Sequence, residues 1–319
     1  MSFMNATRRK VLRMGTLTQA AGNPLQWDIP KTGILGGIFL EISATIVGTP
    51  VTPDALGTQK IVKKVRLVAN SGIDIINISG TGYHSLLRNY CEHYVDATPQ
   101  AQSRVAISVS TFNLDMWLPV AMNSRDPIGY FMLQNEQTLL QLYVEFEAIA
   151  NLAASGITAL NYTVTPSLEI YTVPVDPKDW PPFNVIHQTI EDQRVVTGAG
   201  DVEYYWPRGN TYVQVLHGLG LAQSGSDAWS RAKIRLNQSD FIYDVTPASL
   251  SIDTNRFHGY TRLPGAIPFD LMGTAGLGMF GSTRDMLYSA AVTDLASVIT
   301  ATGAGTLFTV RRQLISLEA

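Results

Sequence analysis

The chain has 319 residues, a formal net charge of −3 and a charged fraction of only 15%, against 45% hydrophobic residues. Soluble domains carry about 25% charged residues, so low charge here indicates a β-rich protein, a surface that packs against other chains, or both. The net charge is negative, whereas nucleic-acid binders usually present a basic face, so we expect no sequence-specific nucleic-acid partner. The single cysteine, Cys91, excludes a framework of intramolecular disulfides.

Residues 1–30 read as an N-terminal arm that carries a short basic helix over Thr7–Met14, with Thr7 as its cap. The basic residues come too late for a secretory signal, and no segment approaches the roughly 18 apolar residues of a membrane-spanning helix, so we expect a soluble or peripheral chain. The arm is the one segment we single out for binding, to anionic lipid, to nucleic acid or to an acidic patch on a neighbouring subunit; the alternative is a solvated terminus. Its cations are Arg8, Arg9, Lys10 and Arg13.

Strand signals dominate the remainder, because runs rich in Val, Ile, Thr, Tyr and Phe alternate with Gly, Pro, Asn and Asp clusters. In the first half the predicted strands are Ile34–Val47, Ile61–Ala69, Ile73–Ile78, Arg104–Phe112, Leu139–Ala148 and Thr163–Val173. In the second half they are Val202–Trp206, Tyr212–Leu219, Ala232–Leu236, Phe241–Val245, Leu250–Asp253 and Thr306–Leu317. Helical spacing predicts two further helices, around Tyr83–Tyr94 and Arg284–Thr300.

A proline-rich stretch separates the two series of strands. Proline cannot donate to a sheet ladder and it stiffens the backbone, so residues 176–183 are predicted to be an interdomain linker. On this division the first domain covers residues 31–175 and the second covers residues 184–319.

The two halves share an internal repeat. Lys64-Val-Arg-Leu in the first half matches Lys233-Ile-Arg-Leu in the second. Three other matches follow the same order: the opening strands from Gly33 and Asn210, the segments Met116-Trp-Leu-Pro-Val and Ala266-Ile-Pro-Phe-Asp, and the closing strands Leu168–Val173 and Leu307–Leu317. Four ordered matches on either side of the linker indicate a duplicated domain.

About eight short strands in each half predict an all-β chain, built as two tandem eight-stranded jelly-roll β-sandwiches with a few short helices. With these strands and its Trp117-Leu-Pro and Ile267-Pro-Phe turns, the chain resembles the double jelly-roll major capsid proteins of icosahedral viruses, especially bacteriophages and archaeal viruses with an internal membrane. The resemblance implies a virion subunit, made in the host cytoplasm, whose homotrimers of pseudo-hexagonal outline tile a shell. It also implies neighbouring trimers, vertex, penton or minor capsid proteins, and an inner lipid membrane as partners of the chain and its basic arm.

No residue pattern predicts a catalytic site, a cofactor or a metal. His84, Cys91 and His93 come nearest to a ligand set, but only Cys91 and His93 share one strand face, which is too few for zinc. Residues 273–278 resemble part of a dinucleotide fingerprint without its βαβ context, and Glu145 and Glu147 alternate along a strand rather than across a cleft. We therefore expect no enzyme. Two alternatives stay open: another phage virion protein of the tail, baseplate or vertex spike, and a carbohydrate-active or cupin-like enzyme on the same sandwich.

Overall fold

A computed structural model describes residues 3–20, 24–70, 72–90, 105–122, 128–135, 138–222, 226–237, 240–258, 261–271, 286–290 and 292–316. The chain divides into two compact units. The first comprises Met1–Tyr83, Ser103–Ile190 and Ile315–Ala319, and the second comprises His84–Gln102 and Glu191–Leu314. The proline-rich stretch 176–183 thus lies inside the first unit, and the chain passes to the second unit after Ile190.

The first unit is a sandwich of two antiparallel sheets. In one sheet β4 is central, with β13 on one side and β8, β9 and β10 on the other, while β1 and β2 run along the far side of β13. The other sheet has the order β3-β11-β6-β7, and the beginning of β14 adds to β7 in parallel. The strands are β1 Arg9–Arg13, β2 Leu17–Ala20, β3 Leu25–Asp28, β4 Ile34–Val47, β5 Val51–Pro53, β6 Val62–Ala69, β7 Ile73–Ile78, β8 Thr111–Asn113, β9 Met116–Pro119, β10 Phe131–Met132, β11 Leu140–Phe146, β12 Ala153–Ser155, β13 Ala159–Tyr171 and β14 Val185–Val196.

Alternation along β4 shows why these residues form a sandwich strand. Ile38, Leu40 and Ile42 are buried, whereas the intervening Phe39 and Glu41 face outward. Successive side chains of a strand point to opposite faces, so one face of β4 joins the core and the other remains available for contacts.

The second unit is also a two-sheet sandwich. In one sheet β16 lies between β22 on one side and β19 on the other, and β20 also pairs with β16, on the same side as β19. The other sheet has the order β15-β21-β17-β18. Trp229, Phe269 and Ile299 are among the buried side chains of the core between the sheets. The strands are β15 Gly200–Tyr205, β16 Thr211–Gly218, β17 Trp229–Leu236, β18 Asp240–Val245, β19 Ala266–Asp270, β20 Leu287–Tyr288, β21 Leu295–Ala301 and β22 Gly305–Ser316.

The same pairing pattern occurs in both units. β4 lies between the closing strand β13 and β9, and β16 lies between the closing strand β22 and β19. β6 lies between β11 and β7, and β17 lies between β21 and β18. These strands carry the four segments matched in the sequence, so the predicted duplication is confirmed by strand pairing.

In the described part of the chain, helices are few and short. They are α1 Phe3–Ala6, α2 Gly80–Gly82, α3 Arg88–Tyr90 and α4 Pro247–Asp253, with π-helical turns at Tyr83–Leu87 and Thr254–His258 and 3₁₀ turns at Gly57–Lys60, Ile149–Asn151 and Pro177–Asp179. The predicted helix at Tyr83–Tyr94 is helical as far as Tyr90, and its remaining residues lie outside the described part of the chain. Among the described residues, no helix is both long enough and apolar enough to cross a membrane.

Four local predictions were wrong. The predicted strand Arg104–Phe112 is a strand only from Thr111, where β8 begins, and residues 105–110 are irregular. The basic segment Thr7–Met14 is not a helix but contains strand β1, because a short isolated helix is marginal and pairing with β13 satisfies its backbone groups instead. The segment Arg284–Thr300 contains β20 and β21 where it is described, and β21 is held between β15 and β17. The predicted strand Leu250–Asp253 belongs to α4, because Thr246 and Ser249 form a capping box there.

Candidate functional site

The basic arm forms the outermost strand of its sheet. β1 pairs antiparallel with β13, from Arg9 opposite Tyr171 to Arg13 opposite Ser167, and all five of its side chains are exposed. An outermost strand presents backbone N–H and C=O groups on its open side, and charged side chains discourage indiscriminate pairing there. The arm therefore combines an exposed strand edge with a dense set of cations.

Two of the four predicted site residues fasten the arm to the first unit. The guanidinium of Arg9 forms an ion pair with Glu169, whose side chain is only 11% exposed, and the Tyr171 hydroxyl donates to the same carboxylate at 3.0 Å. The hydrogen bond with Glu169 raises the pKa of Arg9. Arg13 makes a looser and more exposed pair, with 3.4 Å between its Nη2 and Oε2 of Glu41.

The other two predicted residues leave their charges in solvent. Arg8 is held through its backbone, whose N–H donates to Thr172 Oγ1 at 2.8 Å. The side chains of Arg8 and Lys10 have no hydrogen-bond or ion-pair partner among the described residues, and Lys10 shares its strand face with Leu12, which is 41% exposed. The free cations, Leu12 and Val11, which is 54% exposed, remain available to a partner.

An aromatic anchor that the sequence did not indicate holds the beginning of the arm. Phe3 is 4% exposed and belongs to a buried cluster with Ile34, Ala121, Tyr130 and Tyr171. The Phe3 ring centroid lies 4.8 Å from that of Tyr130 and 5.7 Å from that of Tyr171. Burial raises the pKa of both tyrosines, so their hydroxyls stay neutral beside Glu169.

Replacing Phe3 by alanine is expected to release the arm. Emptying a buried phenylalanine site costs about 3–5 kcal/mol, so the detached population should rise by roughly a hundredfold to a few thousandfold. Tryptic cleavage after Arg8, Arg9 and Arg13 should accelerate accordingly while the sandwiches remain folded. Leu12→Ala, at an exposed position of the same strand, is the control, and equal cleavage of both variants would contradict the anchoring role of Phe3.

The outer face of the β13–β4 sheet is rich in hydroxyls, and the carboxylates of Glu41 and Asp115 lie among them. Thr16 and Thr165 are bonded through their Oγ1 atoms at 2.8 Å, and Thr45 and Thr111 are bonded at the same distance. A shallow depression of about 300 Å³ lies on this face, lined by Glu41, Ile42, Ser43, Asn113, Asp115, Thr163 and Thr165. Hydroxyls that satisfy one another lose little when a partner covers them, so these hydroxyls can be buried at low desolvation cost.

The outer face of the four-stranded sheet in the second unit is charged, and its arginines are paired with carboxylates. Arg231 holds Asp244 through two hydrogen bonds of 2.6 and 2.5 Å, and Arg235 lies between Glu203, at 2.8 Å, and Asp294, at 3.0 Å. The hydrogen bond from Arg231 lowers the pKa of Asp244, and that from Arg235 lowers the pKa of Glu203.

On the equivalent outer face of the first unit, formed by β11, β6 and β7, cations also form ion pairs with carboxylates. Arg66 pairs with Asp74 at 2.7 Å, and Lys63 pairs with Glu145 at 2.5 Å. The cations of the repeated segment therefore face outward in both units, and its arginines are neutralised by neighbouring carboxylates.

The residues weighed for catalysis have structural partners or lie outside the described chain. Glu145 pairs with Lys63, and Glu147 accepts from the Ala148 N–H at 3.0 Å and from Asn151 Nδ2 at 2.8 Å. Where the chain is described, no three His, Cys, Asp or Glu side chains lie close enough to hold a metal. His84 is buried, and burial lowers its pKa to about 3. Cys91, His93 and the glycine-rich residues 273–278 are not among the described residues.

No protein-family model and no curated protein matches the chain, whereas solved structures match it over almost its full length. A chain from Sulfolobus turreted icosahedral virus is 12% identical, with a TM-score of 0.68 over 97% of this chain and 91% of that one. The major capsid protein P2 of bacteriophage PM2 is 12% identical, with a TM-score of 0.59 over 97% of this chain and 98% of that one. A chain of the PBCV-1 virus capsid is 11% identical, with a TM-score of 0.63 over 98% and 96% of the two chains. The chain has the double jelly-roll fold, as the sequence predicted.

Proposed function

We propose that this chain is the major capsid subunit of an icosahedral virus, a structural protein rather than an enzyme. The observation that carries the proposal is the full-length match to the major capsid protein of bacteriophage PM2, which covers 97% of this chain and 98% of that one. At that coverage the match extends through both sandwiches. A virion tail, baseplate or spike protein, or a sandwich-fold enzyme, has no comparable observation in its favour.

The duplicated sandwich supports assembly from few parts. Three copies of a chain with two similar units place six similar units around one axis, which gives a nearly hexagonal tile. Each copy would contribute broad outer faces that are either rich in hydroxyls or internally charge-paired. Covering the paired arginines of these faces leaves them with their carboxylates, whereas an unpaired buried charge would weaken an interface.

The arm supplies the proposed contacts beyond the trimer. Arg9 and Arg13 already have carboxylate partners within the first unit, so contacts with a neighbouring trimer, a minor capsid protein or an anionic membrane fall to Arg8 and Lys10. In this proposal the subunit is made in the host cytoplasm and resides in the virion shell. Its net charge of −3 favours no sequence-specific contact with the genome.

The test is the mass and shape of the purified protein, from light scattering and negative-stain microscopy. Trimers near three times 34.8 kDa, hexagonal tiles or closed shells are the expected result. A chain that stays monomeric at high concentration, across low and high salt, would contradict the proposal.

A further inference from the structure

A polar network crosses the apolar core of the second unit. His217 on β16 has no exposed surface, and its Nδ1 lies 2.8 Å from Oγ1 of Thr309 on β22, in the same sheet. Its Nε2 lies 2.7 Å from Oγ of Ser297 on β21, in the opposite sheet. Trp206 Nε1 donates to the same Ser297 oxygen at 2.9 Å. The histidine therefore joins the two sheets through side-chain hydrogen bonds in the core.

We infer one arrangement of protons from these contacts. The indole N–H of Trp206 can only donate, so Ser297 accepts from it and keeps its own hydroxyl proton free to donate to Nε2 of His217. With Nε2 acting as acceptor, the imidazole is neutral and carries its proton on Nδ1, which donates to Thr309. The Trp206 N–H, the Ser297 O–H and the His217 Nδ1–H then each have an acceptor.

The duplication shows what the first unit has at the same positions. When the Lys64-Val-Arg-Leu and Lys233-Ile-Arg-Leu segments are aligned, Val144 and Ser297 occupy equivalent places opposite the second residue of each segment. When Leu118-Pro119 is aligned with Ile267-Pro268, Ile38 is equivalent to His217. Ile38 faces Leu168 on its closing strand, as His217 faces Thr309.

The first unit thus fills these places with aliphatic side chains, and Ile38, Val144 and Leu168 are each 0% exposed. The sandwich does not need polar groups there. A well-packed aliphatic trio is commonly at least as stable as a buried polar one, so the network of the second unit is a specific feature and not a requirement of the fold.

We propose that His217, Ser297, Thr309 and Trp206 form an acid-sensitive latch that joins the two sheets of the second unit while His217 is neutral and lets them separate when His217 is protonated. A protonated His217 would donate from Nε2 to Ser297, whose own hydroxyl proton would lose its acceptor. The imidazolium would also lie between the rings of Tyr204 and Phe269, whose centroids are 5.7 and 5.9 Å away.

The other ionisable groups around this core do not offset that charge. Arg311, two residues beyond Thr309 on β22, is a cation, and its partner Asp192 lies 2.7 Å away and also accepts from Tyr204. Tyr212 and Tyr243 are the remaining titratable side chains facing the core, and burial raises the pKa of both. The charged residues of the other packed strands alternate onto the outer faces: Asp201 and Glu203 on β15, Arg231, Lys233 and Arg235 on β17, Asp240 and Asp244 on β18, and Asp270 on β19.

The direction of the pH effect follows from the burial of His217, which lowers its pKa to about 3. An unfolded histidine titrates near 6.5, so the unfolded state binds the proton more readily than the folded state. The contribution of His217 is complete above pH 6.5 and declines as the pH falls towards 3, by about tenfold in the folding equilibrium constant per pH unit.

The test compares urea unfolding of the full chain with that of the variant His217→Ile/Ser297→Val/Thr309→Leu, which copies the first unit. Between pH 7.5 and pH 5.0, the folding equilibrium constant of the wild type is expected to fall by about thirtyfold more than that of the variant. His84 and all carboxylates are common to both proteins, and the unpaired indole N–H of Trp206 costs the variant equally at both pH values. Parallel pH dependence in the two proteins would overturn the latch.

A second measurement needs no variant to fold. Nitrogen NMR of the histidines in the wild-type protein is expected to show His217 neutral, with its proton on Nδ1, down to pH 5. A His217 signal that titrates near pH 6.5, or one with the proton on Nε2 at neutral pH, would refute the proposal. Neither measurement depends on whether the protein assembles into shells.

Discussion

Replacing Asp227 by alanine is expected to lower the free energy of unfolding of the second unit by about 3–5 kcal/mol. The Asp227 carboxylate receives two hydrogen bonds of 2.7 Å from Arg262, whose side chain is only 6% exposed. The guanidinium also lies 5.4 Å from the centroid of the Trp229 ring, and the N–H of Gly265 donates to Asp227 at 2.8 Å. Without the carboxylate, the buried guanidinium keeps its hydrogen bonds to Ser251, Leu263 and Ala266 but loses the counter-ion that neutralises it, and the Gly265 N–H loses its acceptor.

Asp244→Ala is the matched control, because it removes a similar two-bonded pair from the surface of the same unit. Arg231 and Asp244 are 53% and 35% exposed, and exposed ion pairs contribute about 0–1 kcal/mol. Urea unfolding followed by tryptophan fluorescence gives both values. Equal losses in the two variants would show that burial of Arg262 is not what makes its pair important.

Replacing Gly37 by valine is expected to destabilise the first unit by about 3 kcal/mol, at the upper end of the usual cost of overpacking. A Cβ atom at Gly37 would lie 1.9 Å from Cη2 of Trp117 and 2.6 Å from two further atoms of the indole ring. The ring cannot easily move aside, because its centroid lies 4.0 Å from that of Phe39. Thermal unfolding measured by calorimetry reports the loss.

Gly303→Val serves as the control, since a Cβ atom there meets nothing within 4 Å. Adding Trp117→Leu to Gly37→Val should recover part of the lost stability, because the smaller side chain vacates the space that the valine needs. If the two changes add without coupling, the clash between residue 37 and the indole is not the cause.

Strands with strong alternation were predictable from the sequence. The predicted bounds of β4 and β7 coincide with the observed ones, because apolar residues alternate along β4 and asparagine or glycine bounds the strands. β14 was missed: Val185–Val196 follows the prolines directly, and its polar residues conceal its buried half, which includes His187 and Thr189. Turn residues and alternation therefore predicted the bounds of a strand well where one face of the strand was clearly apolar.

The wrong helix predictions fall on segments whose residues suit both a helix and a strand, and there the neighbouring strands decide which of the two forms. Val, Ile, Thr and Ala in Leu295–Ala301 suit a strand as well as a helical pattern, and pairing with β15 and β17 selects the strand. In the arm, the exposure of the four cations could be predicted, but their counter-ions could not. Glu169 becomes the partner of Arg9 only through the register of β1 on β13, which no local pattern reveals.

The hydrogen bonds of His217 in the proposed latch could not be predicted from the sequence. His217 read as one of several scattered histidines, and its place opposite Thr309 and Ser297 depends on two separate strand registers. Once those registers were known, the repeat identified Ile38 of the first unit as the residue equivalent to His217. The role of a polar residue in an otherwise apolar strand therefore becomes clear only when the pairing of that strand is known.

The pairing of β1 with β13 also constrains how the protein folds as it is made. Arg9 lies opposite Tyr171, so a ribosome must add more than 160 residues after β1 before its partner exists. At about 5–20 residues per second, this delay is on the order of 8–30 seconds. Throughout that time β1 has no partner strand, and the first sandwich can complete its sheet only after β13 has emerged. The arm is therefore available to chaperones and anionic surfaces in the cell before it is available to the finished fold.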